Sequence, residues 1–122
     1  MTDTLFAYGT LRGEFDNPYT RLLREKGQSL GRATVRGSLF FVGGHDRYPG
    51  YRTEPDGIVV GELWRLHDPE ATLAALDDYE GPEYSRVAVS LADDPKNKVW
   101  IYLYIFDLPA DRRIVTGDFL FR

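Results

Sequence analysis

The sequence predicts an α+β domain: a small mixed β-barrel of five to six strands flanked by two helices. Three observations carry this reading. Residues 98–106 place Val99, Ile101, Leu103 and Ile105 on one side of a strand and Trp100, Tyr102, Tyr104 and Phe106 on the other. A strand that is apolar or amphipathic on both faces needs cover on both, and a closed barrel with helices outside supplies it. Twelve glycines and seven prolines are spread along the whole length, as short strands joined by tight turns require. Two segments carry helix start and stop signals, and several β-type runs surround them, which is the pattern of a mixed α+β domain. With 122 residues, 43% of them apolar, the chain suits one domain over residues 1–122, and its core needs no staples.

The elements follow in order. Thr4–Tyr8 reads as a first strand ending at Gly9. Asn17 is a helix N-cap with Pro18 at the first helical position; Leu22 and Leu23 give a narrow apolar stripe, and Gly27 is the stop. Residues 29–42 form one or two strands through Val35 to Leu39-Phe40-Phe41-Val42. Gly43 to Gly57 is a long loop containing Tyr48-Pro49-Gly50-Tyr51, and loops of that length in a small domain are often functional. Residues 58–66 form a strand. Asp68-Pro69 caps a second helix that buries Leu73 and Leu76 and stops at Gly81-Pro82. Strands at 85–91 and 98–106 follow, and the aromatic tail Phe119-Leu120-Phe121 either closes the barrel or meets a partner.

Composition narrows the chemistry. Fifteen Lys and Arg against 19 Asp and Glu give a net charge of −4, without the basic stripe of a non-specific nucleic-acid binder. The absence of cysteine removes disulfides, thiolate metal sites, Fe–S clusters and cysteine nucleophiles. Two histidines exclude a three-His zinc centre, and the acids lack EF-hand spacing. No metal and no cofactor are expected. The N-terminus lacks a signal-peptide pattern and no run approaches the ~20 apolar residues of a membrane span, so a cytoplasmic protein is expected, without a membrane partner. Any catalysis falls to carboxylates, hydroxyls and backbone amides.

Three groups could carry it. In Tyr8-Gly9-Thr10-Leu11-Arg12-Gly13, two glycines let the backbone turn sharply, and consecutive N–H groups can converge on a carboxylate or an oxyanion. An ordinary strand-to-loop turn is the plain alternative. Glu80 falls in the last turn of the second helix, at the negative end of its dipole, with Asp77, Asp78 and Glu83 beside it. Like charge, the dipole and any burial all raise its pKa, which suits a general acid/base at neutral pH. The alternative is a solvated acidic turn neutralised by Arg86. Tyr8, Tyr48, Tyr51, Tyr79, Tyr84, Tyr102 and Tyr104 can line a pocket and orient a ligand through their hydroxyls, although a tyrosine commonly just packs. His45-Asp46 suggests a triad, but sequence neighbours seldom face each other productively and no serine sits in a nucleophile elbow. His67 reads as structural.

Together these segments resemble the γ-glutamylcyclotransferase-like superfamily, which includes γ-glutamylamine cyclotransferases and AIG2-like proteins, over nearly the whole chain. Tyr8-Gly9-Thr10-Leu11 is similar to the family's Tyr-Gly-Ser/Thr-Leu loop, Tyr48-Pro49-Gly50 to its mid-chain loop, and Val60-Gly61-Glu62-Leu63-Trp64 to its Val-x-Gly-Glu strand. Leu76-Asp77-Asp78-Tyr79-Glu80-Gly81 with Tyr84 and Arg86 resembles the catalytic-glutamate segment, and Ile114 with Gly117-Asp118-Phe119 the C-terminal motif, phenylalanine replacing tryptophan. The resemblance implies a small β-barrel flanked by helices and Glu80 as acid/base. It also implies that Tyr8, Gly9, Thr10 and Leu11 bind a γ-glutamyl group, with Tyr84, Arg86 and Tyr104 nearby. The reaction it implies releases 5-oxoproline and a free amine from a small-molecule γ-glutamyl amine or amino acid. The order of motifs leans towards the γ-glutamylamine branch, and Arg47, Tyr48 and Arg52 fall in the loop that would shape the leaving-group side. A non-catalytic binding module on the same cavity and an interaction scaffold are the competing readings. The leaving amine and the oligomeric state are not legible.

Overall fold

The computed structural model describes residues 2–42 and 48–121. The expectations placed on His45, Asp46 and Arg47 lie outside the described residues. In chain order the elements are β1 (Thr4–Ala7), α1 (Pro18–Lys26), β2 (Gly27–Arg36), β3 (Ser38–Phe41), β4 (Pro49–Arg52), β5 (Ile58–Leu66), α2 (Pro69–Glu80), β6 (Tyr84–Ser90) and β7 (Lys98–Tyr104). Short 3-10 turns follow at Ala110–Arg112 and Phe119–Phe121.

The strands form one curled mixed sheet in the order β2-β5-β1-β7-β4-β3, with β6 on the other edge of β7. The class is α+β, a half-barrel with two helices, as expected. The described residues hold seven strands rather than five or six. The addition is β4, inside the stretch read as a loop: Pro49 to Arg52 pair antiparallel with Phe41 to Ser38. Short and punctuated by Pro49 and Gly50, β4 lacks a strand signature of its own and forms because β3 and β7 both offer edges. Among the described residues the β2 and β6 sides of the sheet meet where Val35 of β2 bridges Leu91 just beyond β6 and the Ala92 N–H donates to the Thr34 carbonyl at 2.9 Å.

Strand β7 carries the design. Strand β6 covers one of its edges along the full length, from Tyr84↔Tyr104 to Ser90↔Lys98. The other edge is divided: β1 pairs with it in parallel at Leu5↔Trp100, and β4 pairs in parallel at Tyr51↔Leu103. A parting of two neighbours along one strand leaves ladder groups to be satisfied by something else. The Tyr8 hydroxyl does this, donating to the Tyr102 carbonyl at 2.5 Å and accepting the Tyr51 N–H at 3.2 Å. The site described below lies at this parting.

Alternation along the strands sorts two cores. Phe6, Tyr8, Val35, Leu39, Tyr51, Val59, Val99, Ile101, Ile114 and Phe119 fill the concave side. Leu5, Ala7, Leu11, Leu23, Trp64, Leu66, Leu73, Leu76 and Tyr102 lie between the convex side and the helices. Residues 99–104 are thus covered on both faces as expected, but the strand ends at Tyr104, and Ile105 and Phe106 are 48% and 53% exposed. Phe119 is buried in the core while Phe121 is 71% exposed, so the aromatic tail is divided between the two roles considered for it.

Helix ends explain the local fit. The Asn17 side chain accepts from the Tyr19 and Thr20 N–H groups, and Thr20 Oγ1 accepts from the Asn17 N–H, a reciprocal cap. Asp68 occupies the N-cap of α2 but makes no side-chain cap bond. Its backbone, at ψ 79°, departs from the extended ψ 170° of Asn17, and the carboxylate does not meet the first-turn N–H groups. At the other end Gly81 takes φ +81°, a left-handed turn that any Cβ disfavours, and its N–H donates to the Asp77 carbonyl at 3.0 Å.

Candidate active site

The loop after β1 is tied down on three sides. The Arg12 N–H donates to the Gly9 carbonyl at 3.0 Å, closing a tight turn. Asn17, besides capping α1, donates through Nδ2 to the Thr10 carbonyl at 2.9 Å. Buried Arg12 reaches Asp118 at 2.8 Å, so the C-terminal Gly117-Asp118-Phe119 segment anchors the loop from behind. Gly9 is required by close approach: a Cβ there would stand 2.9 Å from Pro49 Cγ. Among the described residues none accepts a hydrogen bond from the N–H groups of Gly9, Thr10 or Leu11. Three neighbouring donors are thus available to a ligand.

This loop and Glu80 line one pocket. Its walls are Phe6 to Leu11, Tyr48, Pro49, Glu80, Tyr84 and Tyr102, around a volume of about 30 Å³, room for one or two water-sized groups. A wider cleft of about 330 Å³ adjoins it, walled by Thr10, Val42, Tyr48, Tyr79, Glu80, Glu83 and Tyr84. Glu80, Thr10, Tyr48 and Tyr84 border both, so Glu80 stands where the narrow pouch opens into the cleft.

Burial of the Glu80 carboxyl pushes its pKa from the ordinary 4.5 up to about 7. The direction is the one read from the sequence, but the cause is burial rather than like charge. Asp77, the nearest acid on the helix, is held by Arg86 through Nε at 2.9 Å and Nη2 at 3.2 Å, and accepts the Tyr102 hydroxyl at 2.7 Å. Those partners hold Asp77 below the usual carboxylate range against a burial effect that would raise it. Around Glu80 the phenols titrate high. Tyr8 is raised well above its ordinary value, first by burial and then by the charges of Tyr84 and Glu80; burial also leads at Tyr84 and Tyr102. At neutral pH these hydroxyls are protonated donors.

The sequence-predicted residues divide as follows. Tyr8, Gly9, Thr10, Leu11, Glu80 and Tyr84 share the pouch. Thr10 Oγ1 also hydrogen-bonds the Tyr79 hydroxyl at 3.0 Å, and Tyr84 donates to the Pro49 carbonyl at 2.9 Å. Arg86 and Tyr104 do not line it. Arg86 is engaged by Asp77 and lies 4.4 Å over the Trp100 ring. Tyr104 packs edge-on behind Tyr84, ring centroids 5.3 Å apart. Phe6, Ala7 and Pro49 are wall residues that the sequence reading did not select. Tyr48-Pro49-Gly50 was a visible motif, whereas the exposure of Phe6 and Ala7 to the pouch depends on the parting of β1 from β7, for which no local pattern exists. His67 is exposed, its N–H donating to the Lys26 carbonyl at 2.8 Å. Among the described residues no group of three His, Cys, Asp or Glu gathers as metal ligands.

Several solved structures share this arrangement of elements. An AIG2-like protein from Mus musculus is 25% identical, with a TM-score of 0.67 over 88% of this chain and 80% of its own. Protein ytfP from Escherichia coli is 31% identical, with a TM-score of 0.67 and 96% of each chain covered. Protein PH0828 from Pyrococcus horikoshii, at 22% identity, shares the fold with a TM-score of 0.72 over 97% of this chain and 90% of its own. No curated protein matches the chain in sequence. The sequence pattern described as gamma-glutamyl cyclotransferase, AIG2-like, matches residues 5–121, and with it the loop, the mid-chain turn and the Glu80 segment around the pouch. The chain therefore belongs to the AIG2-like gamma-glutamyl cyclotransferase family, and that membership supports a cyclotransferase-type function.

Proposed function

We propose that this protein is a cytoplasmic enzyme that cleaves a γ-glutamyl amine or γ-glutamyl amino acid by intramolecular cyclisation, releasing 5-oxoproline and a free amine. The observation that carries the reading is a single carboxyl group, held near neutrality, bordering the same pouch as three available backbone N–H donors.

The substrate brings its own nucleophile. Glu80, ionised, takes a proton from the α-ammonium group. The freed amine attacks the γ-carbonyl and closes a five-membered ring. The N–H groups of Gly9, Thr10 and Leu11 hold the carbonyl oxygen as it becomes an oxyanion, where losing one donor costs about 3 kcal/mol. Glu80 then returns the proton to the departing nitrogen as the C–N bond breaks, and carries the second proton from the ring nitrogen to the released amine, so the ring is a neutral lactam, the amine leaves as an ammonium ion and the carboxylate is restored. A carboxyl group with a pKa of about 7 can serve in both directions at neutral pH. Because both reacting groups belong to one molecule, positioning supplies much of the rate. The reacting carbonyl belongs at the mouth of the pouch, where Glu80 stands. The leaving amine then extends into the larger cleft beside Val42, Tyr48, Tyr79 and Glu83.

The test is a panel of γ-glutamyl amines and γ-glutamyl amino acids, scored for 5-oxoproline, with wild type and Glu80→Gln. The reading expects turnover of at least one compound and a loss of 100-fold or more in the variant. Turnover within a few-fold of wild type in Glu80→Gln overturns the mechanism, and binding without turnover in wild type identifies a binding module instead.

A further inference from the structure

We infer that Arg86 and Asp77 form a positioning pair that fixes the last turn of α2, and with it Glu80, against the amide loop, and that Arg86 does not contact substrate. The inference rests on the cyclotransferase reading but concerns residues outside the pouch.

Asp77 lies three residues before Glu80, one turn back on the helix. Its carboxylate accepts three hydrogen bonds from the sheet: two from the planar fork of Arg86 on β6 and one from the Tyr102 hydroxyl on β7. Two parallel bonds fix angle as well as distance, and the guanidinium is held from its other side over Trp100, whose Nε1–H donates to the Thr2 carbonyl at 3.0 Å. From Tyr102 the connection continues. Its carbonyl accepts the Tyr8 hydroxyl, and Tyr8 opens the loop that bears the three N–H donors. Three consecutive links, Arg86–Asp77, Asp77–Tyr102 and Tyr102–Tyr8, thus join the two halves of the site across the parted edge of β7.

The pair also sets the local charge. The last turn of α2 carries no basic residue of its own, so its negative end faces the cation of Arg86 on the neighbouring strand. The groups around Glu80 are Asp77, Asp78 and Tyr79 on its own helix, Glu83 beyond Gly81, Tyr8 and Tyr48 from the loops, and Tyr84 and Tyr102 from β6 and β7. Arg86 is the cation among the described groups that bears on this cluster. Removing it leaves the Asp77 charge unbalanced one turn from Glu80.

Steady-state kinetics of Arg86→Gln, Arg86→Lys and the Asp77→Asn/Arg86→Gln double variant test this, on a γ-glutamyl compound that wild type turns over, with thermal melts to verify folding. In Arg86→Gln the expected result is a kcat lowered roughly 10- to 100-fold, the scale of an ångström-sized misplacement, with KM within about 2-fold and the acid limb of the pH profile moved to higher pH. In the double variant the limb returns towards wild type while kcat stays low. Arg86→Lys keeps the charge and loses the fork, so its limb stays in place and its kcat falls; it serves as the readout if the glutamine variant does not fold. A KM raised 10-fold at unchanged kcat makes Arg86 a substrate contact and overturns the inference, as does wild-type kinetics in all three variants. Either result leaves the cyclotransferase reading intact, because that reading stands or falls with Glu80→Gln.

Discussion

A buried carboxyl group at about pH 7 has a stability consequence that can be measured without any substrate. In the unfolded chain Glu80 ionises near 4.5, and in the folded protein at about 7. Between those values the folded state holds a proton that the unfolded state has released, so stability falls as pH rises from 4.5 to 7 and then levels off. At about 1.4 kcal/mol per pH unit, ionised Glu80 lowers folding stability by about 3 kcal/mol, an order-of-magnitude figure. Glu80→Gln keeps the shape and abolishes the titration. At pH 5 the variant should be more stable by about 1 kcal/mol or less, and by pH 8 by most of the full amount. Urea titrations between pH 5 and 8.5, followed by Trp64 and Trp100 fluorescence, give both curves, with similar m-values as the sign that the denatured states match. The same substitution is expected to abolish turnover, so it separates stability from activity in opposite directions. Parallel stability curves across the pH range would refute the claim that burial, and nothing else, holds this carboxyl group near neutrality.

The same value governs catalysis: kcat/KM should rise with pH through about 7 as Glu80 becomes the base, and an acid limb below pH 5 would contradict the role given to it. Asn17→Ala removes a helix cap, costing about 1 kcal/mol of stability, and also releases the Thr10 carbonyl. Its activity at 25 °C should fall by more than unfolding accounts for, and a loss of melting temperature with kcat/KM unchanged would show that Asn17 only caps.

Much of the fold was legible because its signals are local. Asn17-Pro18 and Gly27 bracket α1, Pro69 and Gly81 bracket α2, and the strict alternation of 99–104 announced a strand covered on both faces. What was not legible depends on neighbours distant in sequence. Strand β4 is four residues beginning Pro49-Gly50, and only the edges of β3 and β7 make it a strand. The overrun to Ile105 and Phe106 has the same origin: the apolar alternation continues, but strand pairing with β6 begins at Tyr84↔Tyr104, and beyond it the Ile105 N–H to the Glu83 carbonyl and Arg52 to the Phe106 carbonyl hold the backbone without covering the side chains.

The candidate site shows the same division at the level of charge. Glu80 could be singled out from its position at a helix end, and the pKa moves in the direction that position suggested. Yet the like-charge argument does not survive in detail, since Asp77 is spent on Arg86 and Tyr102 and repels Glu80 little. Arg86, nine positions beyond Asp77 and on another element, neutralises the nearest of the three acids whose charge seemed to guarantee the effect. What remains is desolvation of a carboxyl group that shares its pouch with Tyr8, Tyr84 and Tyr102, and that pouch lies where β1 and β4 divide one edge of β7. Removing the division, by extending β1 pairing past Trp100, would have to displace the Tyr8 hydroxyl from the Tyr102 carbonyl and the Tyr51 N–H. The pouch, the tuned carboxyl group and the amide loop are therefore consequences of a single irregularity in the sheet.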